Sequence, residues 1–347
     1  MQEFSLNKIK ISLDAMGGDN APRVVIEGAS EAKTRYPDIT YTFFGDRKKI
    51  LPIIKSYNNL IDCECIHTLK FVKGNDKPSN IIRRGGNTSM ALAIKAVRDK
   101  EAHALVSAGN TGALMAFSKL FLKTMSGISR PAIAACFPTQ TGEVCMLDLG
   151  ANLECDKNNL IQFAIMGQAF ANIVMGIKKP RVSLLNVGEE EIKGLDHIKE
   201  ASDLLFQLKN IINYNGFIEG DKITDGSSDV VVADGFTGNV ALKTAEGTAN
   251  FLTNTLKNSF NKSFMSKLGY IFAKKALESF RVHMDPRKYN GAVFLGLNGI
   301  AVKSHGGTDS YGFANAIGVA YDMVKYEFLN ELMQKTLKST KYLEKKL

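Results

Sequence analysis

Apolar positions along the chain fall into two alternating patterns. Short runs rich in aliphatic and β-branched residues predict strands: "KIKISLDA", "ITYTFFGD", "IDCECIHT", "HALVSAG", "PAIAACFP", "VCMLDLGA", "RVSLLNVG", "DVVVADG" and "GIAVKSH". Between them, apolar residues recur at helical spacing over 22–36, 87–100, 111–124, 157–176, 195–213 and 239–258. Several strands are apolar almost throughout, as parallel strands are when helices cover both faces of a sheet. The alternation predicts a doubly wound, mostly parallel α/β sheet in a Rossmann-like three-layer arrangement. One pair allows a second reading, because only "TQT" separates "PAIAACFP" from "GEVCMLDLG" and a hairpin fits there too. No low-complexity linker divides the chain, so 1–340 reads as one α/β domain and 341–347 as a basic tail. The ending "KSTKYLEKKL" reads as a frayed, solvated lysine run.

The stretch 260–280 stands apart. Phe264, Leu268, Ile271 and Phe272 share one helical face, with Lys262, Lys267, Lys274 and Lys275 around it. Such a helix either lies on an anionic membrane surface or packs against the core or a second subunit; on periodicity alone, packing is the commoner outcome.

Ligands of doubly wound sheets bind beyond the carboxyl ends of the strands. Six loops at predicted strand ends are rich in Gly, Asn, Thr and Asp: "DAMGGDN", "SAGNTGA", "LDLGANLE", "NVGEEEIKG", "ADGFTGN" and "VKSHGG". Together they predict one shared cleft. Asn110, Thr111 and Gly112, and again Asp234, Gly235, Thr237, Gly238 and Asn239, open onto helices. Free N–H groups and the helix dipole there suit an anion, although each turn taken singly is also an ordinary helix cap. "VSAGNTGALM" and "VADGFTGNVAL" echo each other as one device used twice. Asn152 follows the strand of "LDLGAN". Lys193 in "GEEEIKG" either stabilises a phosphate or oxyanion or pairs with a neighbouring carboxylate. Lys303 and His305 lie two apart, on one side of a strand end; the histidine suits acid–base work or a loop hydrogen bond.

No nucleotide fingerprint follows the first strand, neither G-x-G-x-x-G nor G-x-x-x-x-G-K-[ST]. The five histidines are scattered, no C-x-x-C pair occurs, and G-x-S-x-G is missing. A metal and a serine nucleophile are therefore not expected, nor a cofactor. The five cysteines read as reduced thiols of a cytosolic protein, and "MQEFSLNKIK" lacks a signal-peptide core. No apolar run of membrane-spanning length is present. The net charge of +9 suits an acidic partner, whether nucleic acid, an anionic membrane surface, an acidic protein or a phosphorylated substrate, and equally a solvated lysine surface.

The ordered loops "LDAMGGDNAP", "SAGNTGALMA", "LDLGAN", "NVGEEEIKG", "DGFTGN" and "YNGAVFLGLNGIAVKSHGG" resemble the motifs of the bacterial phosphate acyltransferase family, the acyl-carrier-protein:phosphate transacylases commonly called PlsX. The resemblance runs from Lys8 to Lys335. It implies a fold related to the isocitrate-dehydrogenase-like and phosphotransacetylase group, a homodimer, and transfer of a long-chain acyl group from acyl carrier protein to inorganic phosphate. It further implies Lys193 and Asn239 as the critical residues, and an apolar helical protrusion, about 255–285, that touches the membrane peripherally through Phe264, Leu268, Ile271 and Phe272. "RRGGNTSM" (83–90) departs from the expected pattern and carries no assignment. Against this background Gly17 and Gly18 let backbone approach the cleft. Asp14 and Asp19 then orient neighbouring loops or cap the next helix, whose first turn suits Pro22. Two rival readings are a phosphotransacetylase-like enzyme using acyl-coenzyme A and a non-catalytic nucleic-acid or membrane-binding module. Nucleic acid is not the expected partner, because the loops cluster at strand ends and no aromatic and basic stripe forms.

Overall fold

The computed structural model describes residues 8–74, 76, 85–283 and 285–344; the start "MQEFSLN", Arg83 and Arg84 of the departing segment, and the end of the basic tail lie outside them. Among the described residues, eleven strands form one sheet: β1 (Ile9–Asp14), β2 (Ile39–Gly45), β3 (Glu64–His67), β4 (Ala104–Ser107), β5 (Ala132–Pro138), β6 (Glu143–Leu147), β7 (Val182–Leu185), β8 (Tyr214–Ile218), β9 (Val230–Val232), β10 (Ala292–Leu295) and β11 (Ile300–Lys303). The helices are α1 (Arg23–Arg35), α2 (Arg47–Ile54), α3 (Ser89–Arg98), α4 (Thr111–Leu122), α5 (Lys157–Ile173), α6 (Asp196–Gln207), α7 (Gly235–Asn261), α8 (Phe264–His283), α9 (Ser310–Lys325) and α10 (Phe328–Glu344). Strand order is β3-β2-β1-β4-β11-β10-β5-β6-β9-β7-β8.

The sheet is mostly parallel, as the apolar runs predict, but it consists of two parallel blocks. β3, β2, β1, β4 and β11 run one way. β10 and the β5–β6 pair are antiparallel, so β6, β9, β7 and β8 run the opposite way. The short "TQT" link is thus a hairpin, closed by the Thr139 amide donating to Gly142 O at 2.9 Å. Alternate residues of central strands enter opposite cores. Ala104, Val106, Ile300, Val302, Val230 and Val232 join one apolar cluster; Leu105, Ala301 and Val231 join the other. Helices α1, α5 and α9 cover the first face, with Ile26, Phe163 and Phe313 fully buried, and α3 and α4 cover the second with Met90 and Phe117. This three-layer burial is why those strands carry no polar face.

Several boundaries differ from the sequence pattern. β8 and β10 are short and glycine-flanked, and Gly216 breaks β8 at φ +86°, so neither shows strand periodicity. Pro52 lies inside α2 and masks its pattern, although Asp46 caps it by accepting the Lys48 amide. α9 begins where the Asp309 carboxylate accepts the Gly312 amide at 3.0 Å. The expected lysine tail is instead helical as far as Glu344, with Thr336 and Ser339 buried in α10. α6 stops at Gln207, because the chain then turns to bury Ile212 before β8. α7 starts earlier than expected, at Gly235, since Asp234 caps it. Pro22 takes the N-cap position of α1 without a side-chain cap, so Asp19 does not cap that helix.

α7 and α8 form a helical hairpin, joined near its tip by an edge-to-face pair of Phe260 and Tyr270. Its apolar side chains are uncovered, with Phe264 79% and Phe272 84% exposed. Among the described residues no helix is long and apolar enough to cross a membrane.

Candidate active site

The six glycine-rich loops form two groups, because the sheet reverses direction between its blocks. The first group follows β1, β4 and β11, which lie side by side with Lys303 in register with Ser107. Ser107 Oγ donates to Asp14 Oδ2 at 2.7 Å and accepts the Gly109 amide at 3.0 Å. A Cβ on Gly17 would sit 2.5 Å from that carboxylate oxygen and 2.8 Å from the Gly109 nitrogen. Gly17 is therefore required by close approach of two loops. Gly18, at φ +103°, passes against Ala108 and Gly306, and the Asp19 amide donates to Gly306 O at 3.0 Å. Burial raises the Asp14 carboxyl, and hydrogen bonds from Ser107 and the Met16 amide, with the Lys303 charge, pull it back.

Lys303 is a largely buried cation at this floor. Its Nζ donates to Ala108 O at 3.5 Å and to Ser304 O. Burial lowers its ammonium to about 8, against the attraction of Asp19 and Asp14, and Lys243 adds repulsion in the same direction. His305 is exposed; its amide donates to Asn290 Oδ1 and its Nδ1 accepts the Gly307 amide at 3.2 Å. The ring is thus engaged with its own loop.

Asn110 caps α4, accepting the Ala113 amide at 2.9 Å, while its Nδ2 donates to Gly74 O. Thr111 and Gly112 are exposed in the first turn. The echoing turn at α7 is electrostatically different. There Asp234 accepts both the Thr237 amide and the Thr237 hydroxyl, so a carboxylate already sits on the positive helix end. Only the α4 turn, capped by a neutral side chain, keeps its field for an incoming anion.

The second group follows β6, β9 and β7, whose register places Leu147, Val232 and Leu184 at one level. Asp148 organises it. Its carboxylate accepts the amides of Ile133, Ala151 and Asn152 and the Asn152 side chain, at 2.8–3.0 Å. Burial raises this carboxyl while those donors lower it. Asn152 also donates to Pro131 O, so its amide nitrogen is committed to holding the loop. The loop lies directly on the start of α7: a Cβ on Gly238 would meet Asp148 O at 1.9 Å, and one on Gly235 would meet Asn152 O at 2.5 Å. Asn239 is exposed beside Gly150, and its side chain makes no hydrogen bond among the described residues.

In the β7 loop, buried Asn186 donates to Gly188 O and Lys193 O, both at 3.1 Å, and Gly194 passes its side chain at φ +89°. Glu189 pairs with Lys222 at 2.7 Å, and Lys193 is exposed with no carboxylate in ion-pair range among the described residues. Lys193 and Asn239 thus come from loops on neighbouring parallel strands, each with its polar end available.

α7 links the groups. Lys243 lies one turn beyond Asn239 on the same face, and its charge acts on Lys303. Asp148, Ser107, Asn186 and Lys243 carry the site's architecture without being singled out by the sequence. Asp148 lies inside a recognised loop, and Lys243 is four residues from Asn239, but only the packing shows what each faces. No cluster of three His, Cys, Asp or Glu able to hold a metal gathers among the described residues.

Comparison with known proteins places this geometry. The model of a family described as fatty acid synthesis protein matches residues 9–331. A phosphate acyltransferase of Paramagnetospirillum magneticum is 51% identical over 321 residues, 92% of either chain. Another, from Rhodospirillum centenum, is 54% identical over 319 residues, 92% of this chain and 90% of that one. Among solved structures, a phosphotransacetylase from Streptococcus pyogenes superposes with a TM-score of 0.62 at 15% identity, covering 91% of this chain and 94% of its own. The EutD phosphotransacetylase of Staphylococcus aureus gives 0.59 at 18% identity over the same shares. At such identity the likeness is one of fold.

Proposed function

The chain belongs to the fatty acid synthesis protein family, and on that premise we propose that it transfers a long-chain acyl group from the thioester of acyl carrier protein to inorganic phosphate. The product is an acyl phosphate for phospholipid synthesis, released with the free thiol of the carrier. Residues 1–340 are taken as one catalytic unit, working as a homodimer.

A thioester is already activated, so the reaction needs placement and charge compensation, with no nucleotide demanded by its energetics. A phosphate oxygen attacks the thioester carbonyl, an oxyanion develops, and the C–S bond breaks. Lys193 offsets the added negative charge, and the Asn239 amide donates to the carbonyl or phosphate oxygen. The uncancelled end of α4, with Lys303 against Ala108 of the preceding loop, supplies the positive surroundings that a phosphate dianion needs, while Lys243 is paired with Glu246. Asp14, Gly17 and Gly18 form the wall on the β1 side. The observation that carries the reading is the placement of Lys193 and Asn239 on adjoining strand-end loops, their side chains exposed and without a partner among the described residues.

The excess of basic over acidic residues, +9, suits acidic acyl carrier protein. The uncovered apolar side chains Phe264, Leu268, Ile271 and Phe272 of α8, with their lysines, suit peripheral contact with an anionic membrane, where the acyl product partitions.

The test offers purified protein phosphate and either acyl carrier protein thioester or coenzyme A thioester, with chelator present and no nucleotide. Acyl phosphate and free thiol are expected from the carrier-protein ester. Product from the coenzyme A ester alone would transfer the protein to the phosphotransacetylase-like reading, and product from neither would leave the binding-module reading.

A further inference from the structure

Cys136 and Cys145 face each other across the β5–β6 hairpin. The hydrogen-bond pattern fixes what kind of pair this is. Thr139 and Gly142 close the hairpin with a backbone bond, so bonded pairs recur two residues on, at Phe137 and Val144. The Cys145 amide points the other way, donating to Asp229 O beside β9 at 2.9 Å. Cys136 and Cys145 therefore occupy a non-hydrogen-bonded pair, where Cα atoms approach to about 4.5 Å and side chains are closest. Both project to the same face, Cys145 within the apolar cluster and Cys136 packed against it, so their side chains are direct cross-strand neighbours. That separation falls at the short end of the range a disulfide spans, about 4.4–6.8 Å.

Exposure divides the labour between them. Cys145 is fully buried, whereas Cys136 lies on the half-buried outer part of β5, within reach of a small oxidant. None of the acyl-transfer chemistry uses either sulfur.

We propose that Cys136 and Cys145 form a site of reversible thiol oxidation, closing to a cross-strand disulfide when a peroxide-class oxidant is present. The Cys136 thiolate, its proton released to solvent, attacks one oxygen of hydrogen peroxide; the S–O bond forms, the O–O bond breaks, and the departing hydroxide takes up a proton from solvent, giving a sulfenic acid and water. The Cys145 thiol then attacks the Cys136 sulfur as its proton leaves to solvent; the S–S bond forms, the S–OH bond breaks, and hydroxide departs as water. Two thiols are oxidised by two electrons and one peroxide is reduced to two waters. A cross-strand disulfide held at short Cα separation is readily reopened by a dithiol reductant. β6 leads straight into Asp148, whose carboxylate also accepts the Ile133 amide of β5, so the pair lies on the scaffold of the second loop group.

The experiment treats the folded, full-length protein with hydrogen peroxide, alkylates under denaturing conditions, and maps peptides by mass spectrometry. Of the five cysteines, Cys136 and Cys145 are expected to escape alkylation and appear as one cross-linked intramolecular peptide pair, lighter by two hydrogens and restored by dithiothreitol. Cys145→Ser should abolish the cross-link and leave Cys136 trapped by dimedone. Cys136→Ser should abolish both cross-link and dimedone adduct. Retention of all five alkylatable thiols, or a cross-link through Cys63, Cys65 or Cys155, overturns the assignment.

Discussion

Ser107 Oγ, at the end of β4, donates to Asp14 Oδ2, at the end of β1, across 2.7 Å in a buried floor. The bond binds two strand ends together and partly offsets the cost of burying a carboxylate there. Removing it in Ser107→Ala should cost about 1–2 kcal/mol at neutral pH. The folded-state carboxyl already titrates above its unfolded value, so its ionised form is the disfavoured one and its contribution falls as pH rises through that range. The variant raises that value further. Thermal melts should show the gap to wild type widening from pH 4 to pH 7; a constant gap would exclude this coupling.

Lys303 titrates in the opposite sense. Its folded-state value, about 8, lies below the ordinary 10.5. Between those values the unfolded chain binds the extra proton, so this residue makes stability rise with pH. Lys303→Met should remove a penalty of up to about 3 kcal/mol at pH 7, an advantage that shrinks as pH climbs from 8 to 10. Paired melts at four pH values decide it, and parallel pH profiles that never converge would sink it.

Lys193→Ala and Asn239→Ala should each lower acyl phosphate formation by about 10²–10³. Both side chains are exposed and unbonded, so stability should stay within about 0.5 kcal/mol of wild type. Glu189→Ala serves as a control, because Glu189 pairs with Lys222 and leaves Lys193 unaffected. Steady-state rates alongside circular dichroism separate the outcomes; full activity in both lysine and asparagine variants removes them from the chemistry.

Two glycines of α7 should respond oppositely to alanine. At Gly238 the new Cβ would lie 1.9 Å from Asp148 O, so strand end and helix must separate, costing about 2–3 kcal/mol. At Gly247 nothing lies within 4 Å, and the same change should stabilise the helix by about 0.5–1 kcal/mol. Urea midpoints moving in the same direction would contradict the packing described.

Replacing Phe264 and Phe272 together by serine should weaken flotation with phosphatidylglycerol vesicles while leaving turnover on soluble substrates intact. The residues are 79% and 84% exposed, so the fold does not need them. Unaltered flotation would assign this face to protein packing.

The sequence by itself determined the layered α/β body, because strands buried on both faces are apolar along their length: β9 is apolar throughout, and β4 and β11 are apolar up to Ser107 and Lys303 at their carboxyl ends. It also determined the loops, since tight turns at strand ends demand Gly, Asn and Asp whatever the surroundings. Local chemistry identified Gly17, Asn110, Lys193 and Asn239 as candidates. It left the β5–β6 hairpin as one of two readings and did not reveal that, together with β10, it reverses the sheet, because strand direction leaves no mark on periodicity. Nor did it show that Asp234 cancels one of two similar helix ends while Asn110 leaves the other open. Nor did it show that Glu189 pairs with Lys222 from a distant segment. Such relations depend on which residues meet across the fold, and only the tertiary packing fixes those distances.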